Sequence, residues 1–532
     1  MGTATNVDAT AVNTIQWLSS GSTIVVPVYQ RQYRWDIDGC EQLLADIRSV
    51  ASGGEGHTHF IGSILSTRSV TGDGHELVLI DGQQRITTLM LLIAAMQHTV
   101  ADSDPALAVE LRSVVVRDSV GGARTTLRPH RGWADVFESV VLGVRGAEVE
   151  TRDSRFDNNY AFFRSQVAAA EVADIWRGLR RLEHVSISLG EGANAQQTFE
   201  SLNSTGAPLK DHELIHNYVL MGLTHAQQQA IESEFWEPLE ANTGEAIGAF
   251  WRHYLIATIG LELDVEGDRS VYDAFRHRFP RLDHDALRAH AAEWLEFSEG
   301  YRLLLEPSLE ADVDIRRQLE FVNTFGRVAY PLVMSARRDH ERGAVTKAEL
   351  IAELEQVQAL LLRRTVVGLP VDRITARLCR ARAEGPTELQ RAIARITPSD
   401  ERTRVSLKFG ALPHARYVLG RLAGVTDGLG EYDVEHVAPL APGDAWELGD
   451  GRTWAELSDD EQNSFRALAP SLGNLTLLED ELALRAVDAG FTVKASELYP
   501  RSGVSLTREL ASVPSWGTAQ IADRTESLTA EF

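Results

Sequence analysis

The sequence predicts an α+β chain, mostly helical, and three observations carry that reading. Short β-branched runs separated by polar turns crowd the first hundred residues, amphipathic helical spacing dominates residues 156–396, and two strand-like runs followed by a helical run lie near the end. At 532 residues the chain exceeds the roughly 250–300 at which one core stops growing. Three parts are expected: an N-terminal α/β domain over 1–235, a helical connecting region over 236–396 and a C-terminal ββα domain over 397–532.

Residues 24–29 (Ile-Val-Val-Pro-Val-Tyr) read as a strand interrupted by proline, followed by a polar loop to Trp35 and a helix over 39–50. Residues 60–66 and 76–80 read as two further strands, with Thr71-Gly72-Asp73-Gly74 as the turn between them. Directly after Ile80 comes the polar turn Asp81-Gly82-Gln83-Gln84-Arg85, then an apolar helix over 86–98. Strand, polar turn and helix in that order suit phosphate, because a helix N-terminus offers unpaired N–H groups and a positive dipole end. One strand-like break, 184–189, interrupts the helical spacing that begins near 156. A helix is expected to end in the turn Asn203–Gly206 and another to restart at Asp211, while residues 226–396 are helical in pattern up to the turn signals at 397–400. Tyr432–Ala438 and Leu472–Leu478 read as strands and 480–487 as a helix.

The formal charge of −24 and pI near 5.1, taken alone, argue against a polyanionic partner. Local charge tells a different story. Only Lys210, Lys347, Lys408 and Lys494 of the 52 cationic residues are lysine; the rest are arginine, whose planar fork suits phosphate, although a GC-rich genome gives the same bias. Two cysteines, Cys40 and Cys379, are too few for a disulfide framework or a structural zinc site, which points to a reducing compartment. No signal-like start and no run of about 18 apolar residues is visible, so a soluble, cytoplasmic protein is expected, without membrane contact.

Three of the five arginines in the first hundred residues fall in two motifs: Arg31 and Arg34 in Tyr29–Trp35, and Arg85 in the Asp-Gly-Gln-Gln-Arg turn. Such concentration suggests one anion site, in which arginines grip phosphate and Asp81, Gln83 and Gln84 position a water or a metal. The alternative is that Tyr29, Tyr33 and Trp35 are core aromatics and the arginines pair with Asp36, Asp38 or Asp46. A third polar string, Phe199–Lys210 followed by Glu213–Asn217, adds Asn203 and Thr205 to the candidates. No Gly-x-x-x-x-Gly-Lys-[Ser/Thr] string is present, which excludes a P-loop.

Near the C-terminus, Glu435-His436-Val437-Ala438-Pro439 and Gly473-Asn474-Leu475-Thr476 fit a ββα-metal unit. His436 suits the general base, Glu435 a metal ligand, and Asn474 the residue that orients the imidazole. Neighbours on a strand point to opposite faces, so Glu435 and His436 share a site only if the strand twists or ends there. Lys494 is read as a phosphate contact or a solvated surface lysine.

Taken together, these strings resemble the GmrSD-type family of modification-dependent restriction enzymes, most closely its phosphorothioate-dependent SspE-type members. The resemblance covers roughly residues 15–235 and 400–515 and implies a ParB/sulfiredoxin-like NTPase domain joined to a C-terminal HNH nuclease domain. It further implies hydrolysis of GTP or another NTP at Arg31, Arg34, Asp81, Gln83, Gln84, Arg85, Asn203 and Thr205, with DNA modification sensed near Pro27, Tyr29, Gln30 and Arg31. At the nuclease end it implies Mg²⁺ or Mn²⁺. The family's two further asparagines fall on Ala483 and Asp488 here; Asp488 is an acceptable hard-cation ligand, whereas Ala483 is a departure.

The leading expectation is thus an NTP-hydrolysing endonuclease that nicks or cleaves modified duplex DNA of phage or plasmid in antiviral defence. A homodimer would serve two coordinated cuts, and other defence proteins are expected partners. Two alternatives stay open: the same chemistry cued by glucosylated or hydroxymethylated cytosine, and a nucleotide-dependent DNA-binding regulator with an inactive nuclease domain.

Overall fold

The computed structural model describes residues 7–531 apart from 29, 31, 32, 55, 72, 73, 120, 121, 130, 145–153, 191–208, 265–269, 281, 426 and 488. The chain divides into two compact units, one of Met1–Glu234 with Arg281–Arg288 and one of Phe235–Pro280 with Ala289–Phe532. The architecture is α+β and mostly helical, with a mixed sheet in the first unit. No helix among the described residues is long and apolar enough to cross a membrane.

The first unit is built on a six-stranded sheet. Its strands are β1 (Val7–Asn13), β2 (Thr23–Val25), β3 (His59–Thr71), β4 (Gly74–Asp81), β7 (Leu127–Arg128) and β8 (Leu182–Leu189), in the order β1-β8-β3-β4-β2-β7; β5 (Val116–Ser119) and β6 (Gly122–Thr125) form a separate hairpin. The sheet is mixed: β8 runs parallel to β3, β3 antiparallel to β4, and β4 parallel to β2. The strand expected over 24–29 is only Thr23–Val25. Proline 27 cannot donate to a ladder, so pairing stops before it.

The helix expected over 39–50 runs Ile37–Ser52, and Asp36 caps it by accepting from the Gly39 N–H at 3.0 Å. Gln83–Val100 forms the central helix, longer at both ends than the apolar run suggested. Its residues Leu89 to Met96 are all buried to within 1% of full exclusion, so this helix is covered on every side rather than along one stripe. The strand over Val7–Asn13 and the β5–β6 hairpin were not legible from periodicity. Val7–Asn13 alternates little between faces because it is an edge strand, paired only with β8.

In the second unit an aromatic core of Trp236, Trp251, Trp294, Phe250, Tyr254 and Phe275 organises the helices of the middle segment. Farther along, β9 (Tyr432–His436) pairs antiparallel with β10 (Leu475–Glu479), His436 opposite Leu475 and Glu435 opposite Thr476, and the helix Asp480–Ala486 follows directly. The two faces of this ribbon serve different cores. Leu475 and Leu477 pack with Phe321, Leu407 and Tyr417, whereas Leu478 packs with Val437, Trp446, Trp454 and Trp516. Residues Leu472–Asn474, expected as strand, are a 3₁₀ turn instead. A side chain at Gly473 would run into the Ile521 carbonyl of the helix Thr518–Glu531, so the chain must turn before it can pair.

Candidate active sites

The strand, turn and helix expected at Asp81–Arg85 are present in the first unit. β4 ends at Asp81, Gly82 takes a left-handed conformation (φ +94°), and the central helix begins at Gln83 without a side-chain cap. A Cβ at Gly82 would meet Ile64 Cγ1 at 3.0 Å, so both conformation and space require glycine there. Gln83 and Gln84, the first two residues of this helix, are both buried at its positive dipole end.

Gln30 and Arg34 are bolted to this turn. Gln30 Nε2 donates to the Ile80 carbonyl at 2.6 Å, and the Arg34 N–H donates to Gln84 Oε1 at 2.8 Å. Asn159 Nδ2 donates to the Tyr33 hydroxyl and the Trp35 carbonyl at 2.8 and 2.9 Å. Tyr33 and Trp35 pack on the core, as the aromatic alternative held. Arg34 and Arg85, however, pair with other carboxylates than the expected aspartates. Arg34, half exposed, faces the buried Glu213 carboxylate at 3.4 Å on the helix Asp211–Leu220.

Arg85 donates to the Ile61 carbonyl at 2.8 Å and pairs with Asp81 at 3.3 Å. Space for its guanidinium comes from Gly62, a left-handed residue (φ +98°) at a register shift in β3, where any Cβ would overlap Arg85 Nη1. His184, fully buried on β8, lies close enough to Arg85 to feel its charge; burial, then Arg85, pushes its pKa down to about 4. Its Nδ1 meets the Thr14 hydroxyl at 3.1 Å, while Nε2 is buried without a partner. No sequence signal marked Gly62, Asn159 or His184, because each matters through contacts with residues far away in the chain.

The structure thus brings Arg34, Asp81, Gln83, Gln84 and Arg85 around one helix start, with Gln30 beside them. Tyr29, Arg31, Asn203 and Thr205 lie outside the described residues. Of the residues expected to sense a modification, Pro27 is buried between Val26 and Val28, both core residues, so its apolar surface is spent on packing.

In the second unit, His436 sits at the end of β9, half-buried, with no hydrogen bond to its ring among the described residues. Burial, then the Lys494 charge, holds its pKa below the ordinary histidine value, which favours the neutral imidazole a general base needs.

Asn474, fully buried, holds the chain beyond His436 and not its ring. Its Oδ1 accepts from Ala438 N and Trp516 Nε1, each at 2.9 Å, and its Nδ2 donates to the carbonyls of Ala438 and Ala469, each at 2.8 Å. Two acceptor positions and two donors exhaust a primary amide, so nothing is left for the imidazole. The expectation that Asn474 orients the ring directly is corrected accordingly: it grips the peptide groups of Ala438, and its own carbonyl accepts from Val437 N at 2.9 Å. Arg524, half-buried on the helix Thr518–Glu531, donates to the carbonyls of Gly473 and Leu475 at 2.7 and 2.6 Å and so anchors the facing strand.

Lys494 also departs from expectation. Its side chain is 1% exposed, neither a surface lysine nor poised for phosphate. Its Nζ donates to Glu435 Oε1 at 2.5 Å, the His436 carbonyl at 3.1 Å and the Val437 carbonyl at 3.2 Å. Strand alternation sends Glu435 inward, away from the partly open face of His436. Burial raises the Glu435 carboxyl pKa, partly offset by Lys494. Tyr499, fully buried nearby, is pushed up by burial and then by the Glu435 charge.

The carboxylate of Glu435, expected to hold a metal, is thus engaged by Lys494. Among the described residues no group of three His, Cys, Asp or Glu could hold a metal ion, and Asp488 lies outside them, so these residues alone do not fit a divalent cation.

Two family models match the chain. One, the N-terminal domain of the GmrSD restriction endonuclease, covers residues 14–220, and the other, the C-terminal domain of GmrSD restriction endonucleases, covers residues 395–531. The first contains the Asp81–Arg85 turn and the second the His436, Asn474 and Lys494 cluster. No curated protein matches the sequence. With both family domains present in order and spanning more than half its length, the chain belongs to the GmrSD restriction endonucleases.

Proposed function

We propose that this chain is an NTP-hydrolysing, modification-dependent endonuclease that nicks modified duplex DNA, with phosphorothioate as the cue and GTP as the leading nucleotide. The half-buried His436 carries this reading: its ring is uncommitted while the backbone that follows it is held. His436 takes the proton from the attacking water as the DNA phosphate is hydrolysed. One such centre cuts one strand per engagement, and a dimer would supply the second cut. A divalent ion, Mg²⁺ or Mn²⁺, when bound would offset the charge that builds on the scissile phosphate, with Asp488 as the candidate ligand.

At the other site, the positive dipole end of the Gln83–Val100 helix would receive nucleotide phosphate, with Arg34 and Arg85 as nearby cations and Asn203 and Thr205 as further candidates. Gln30 and Arg31 remain the candidates for sensing the modification.

The test compares wild type and His436→Ala on matched phosphorothioate, glucosylated and plain duplexes, with GTP hydrolysis measured in the same reactions. Loss of cleavage with hydrolysis intact supports separate sites. Cleavage of glucosylated DNA alone would transfer the cue to modified cytosine. Equal cleavage by the variant would remove His436 from the chemistry. A second reading, a nucleotide-dependent DNA-binding regulator, is favoured by the engagement of Glu435 with Lys494; metal-dependent cleavage of any duplex eliminates it.

A further inference from the structure

The oxygen cage around Lys494 Nζ has a consequence for how His436 is held. An ammonium carries three N–H donors, and here each has an acceptor: Glu435 Oε1 and the carbonyls of His436 and Val437. A buried ammonium needs all three donors satisfied in any role, so what distinguishes this one is which acceptors it takes. The two besides Glu435 fall on the peptide groups immediately after the His436 and Val437 α-carbons, where the chain leaves β9. Asn474 grips the next residue, Ala438, from the β10 side through both its N–H and its carbonyl. His436 therefore sits at the last position before a stretch whose backbone oxygens and nitrogens are fixed in succession: His436 O and Val437 O by Lys494, Val437 N by the Asn474 carbonyl, Ala438 N and O by the Asn474 side chain. The ring itself is left uncommitted.

We propose that Lys494 is a positioning residue for His436, acting through the backbone, and that Glu435 is its buried counter-ion rather than a ligand for a divalent cation. The inference rests on the nuclease reading of His436. Glu435 is suited to the role because alternation along β9 turns it into the interior, where Lys494 reaches from the other end of the ββα segment. Burying one charge without the other is costly, which ties the two residues together; removing both is far less so. Precise placement of the base is what the clamp supplies, and misplacement by about 1 Å costs on the order of 100-fold in rate.

The experiment uses the full chain with Lys494→Met, Glu435→Gln and the double variant. It reads kcat and KM on phosphorothioate duplex, the unfolding temperature, Mn²⁺ binding by electron paramagnetic resonance, and the His436 imidazole NMR signals, which need no turnover. Lys494→Met should lower kcat on the order of 100-fold with KM for DNA unchanged. The double variant should regain the unfolding temperature lost by the single variants, yet keep the low kcat and show shifted or broadened His436 signals. Glu435→Gln should bind Mn²⁺ as wild type does.

Recovery of kcat together with stability in the double variant would reduce the pair to charge balance and overturn the proposal, as would unaltered His436 signals. Weakening of Mn²⁺ binding by tenfold or more in Glu435→Gln would make Glu435 a ligand. Should Lys494→Met fail to fold, the double variant carries the same comparison. Failure of the nuclease reading looks different: wild type and His436→Ala would then cleave alike, while the NMR and Mn²⁺ measurements still decide the roles of Lys494 and Glu435.

Discussion

Substituting Asn474→Asp keeps the shape of a fully buried side chain and changes only its chemistry. The two contacts from Nδ2 to the carbonyls of Ala438 and Ala469, both 2.8 Å, become oxygen facing oxygen. Two net hydrogen bonds of about 1 kcal/mol each are lost, and two buried carbonyls are left unpaired against a carboxylate, which brings the expected destabilisation to about 3–5 kcal/mol at neutral pH. Against a typical stability of roughly 5–15 kcal/mol, this is enough to loosen the ββα segment while the chain still folds.

The pH dependence follows from the same contacts. Burial beside two carbonyls raises the pKa of the new carboxyl above its unfolded value, so the deficit is complete above that raised pKa. It shrinks as pH falls through it, because a protonated carboxyl can donate to one carbonyl. Hydrogen exchange by mass spectrometry on peptides covering 432–440 and 470–479 measures the local opening energy, at pH 8 and pH 5.5. A loss below about 1 kcal/mol, with cleavage abolished all the same, would refute the reasoning: Asn474 would then be acting on the imidazole or the DNA, and not on the Ala438 backbone.

Two further outcomes concern the first unit. His184 is buried with its pKa lowered from 6.5 to about 4, so the unfolded chain binds its proton more readily; stability from this group is complete above pH 6.5 and falls as pH drops toward 4, by about 3 kcal/mol in all. His184→Phe should flatten that acid limb of thermal stability, and an unchanged limb would show that His184 does not control it. Gly62→Ala should displace the Arg85 guanidinium from the Ile61 carbonyl and place a side chain at φ +98°, lowering GTP hydrolysis while leaving exchange in peptides 432–479 untouched. Full hydrolysis in this variant would mean that Arg85 is not needed where the structure holds it.

Much of the local layout could be read before any coordinates. The strand, polar turn and helix at 76–98 announced themselves because a strand period gives way to a glycine-containing turn and then to an unbroken apolar run, and each of those signals is local. The same holds for the helix Ile37–Ser52 with its Asp36 cap, and for the strand that carries His436, which stops at His436 and not at the expected Ala438. Edge strand Val7–Asn13 escaped notice because its pairing partner, β8, lies more than 160 residues away.

By itself the sequence determined the α+β class, the position of the strand, turn and helix start at Asp81–Arg85 and the presence of a histidine, an asparagine and a lysine in one C-terminal segment. Only the tertiary structure decided what those polar groups touch. Asn474 spends its whole amide on Ala438, Ala469 and Trp516; Lys494 turns inward to Glu435 and two carbonyls; Pro27 goes into the core; and Arg85 occupies the space that Gly62 leaves open. The physical reason is the same in each case. Propensity and periodicity act over a few residues, whereas a buried polar group takes whichever partners the packed chain brings within about 3 Å, and those come from anywhere in the sequence.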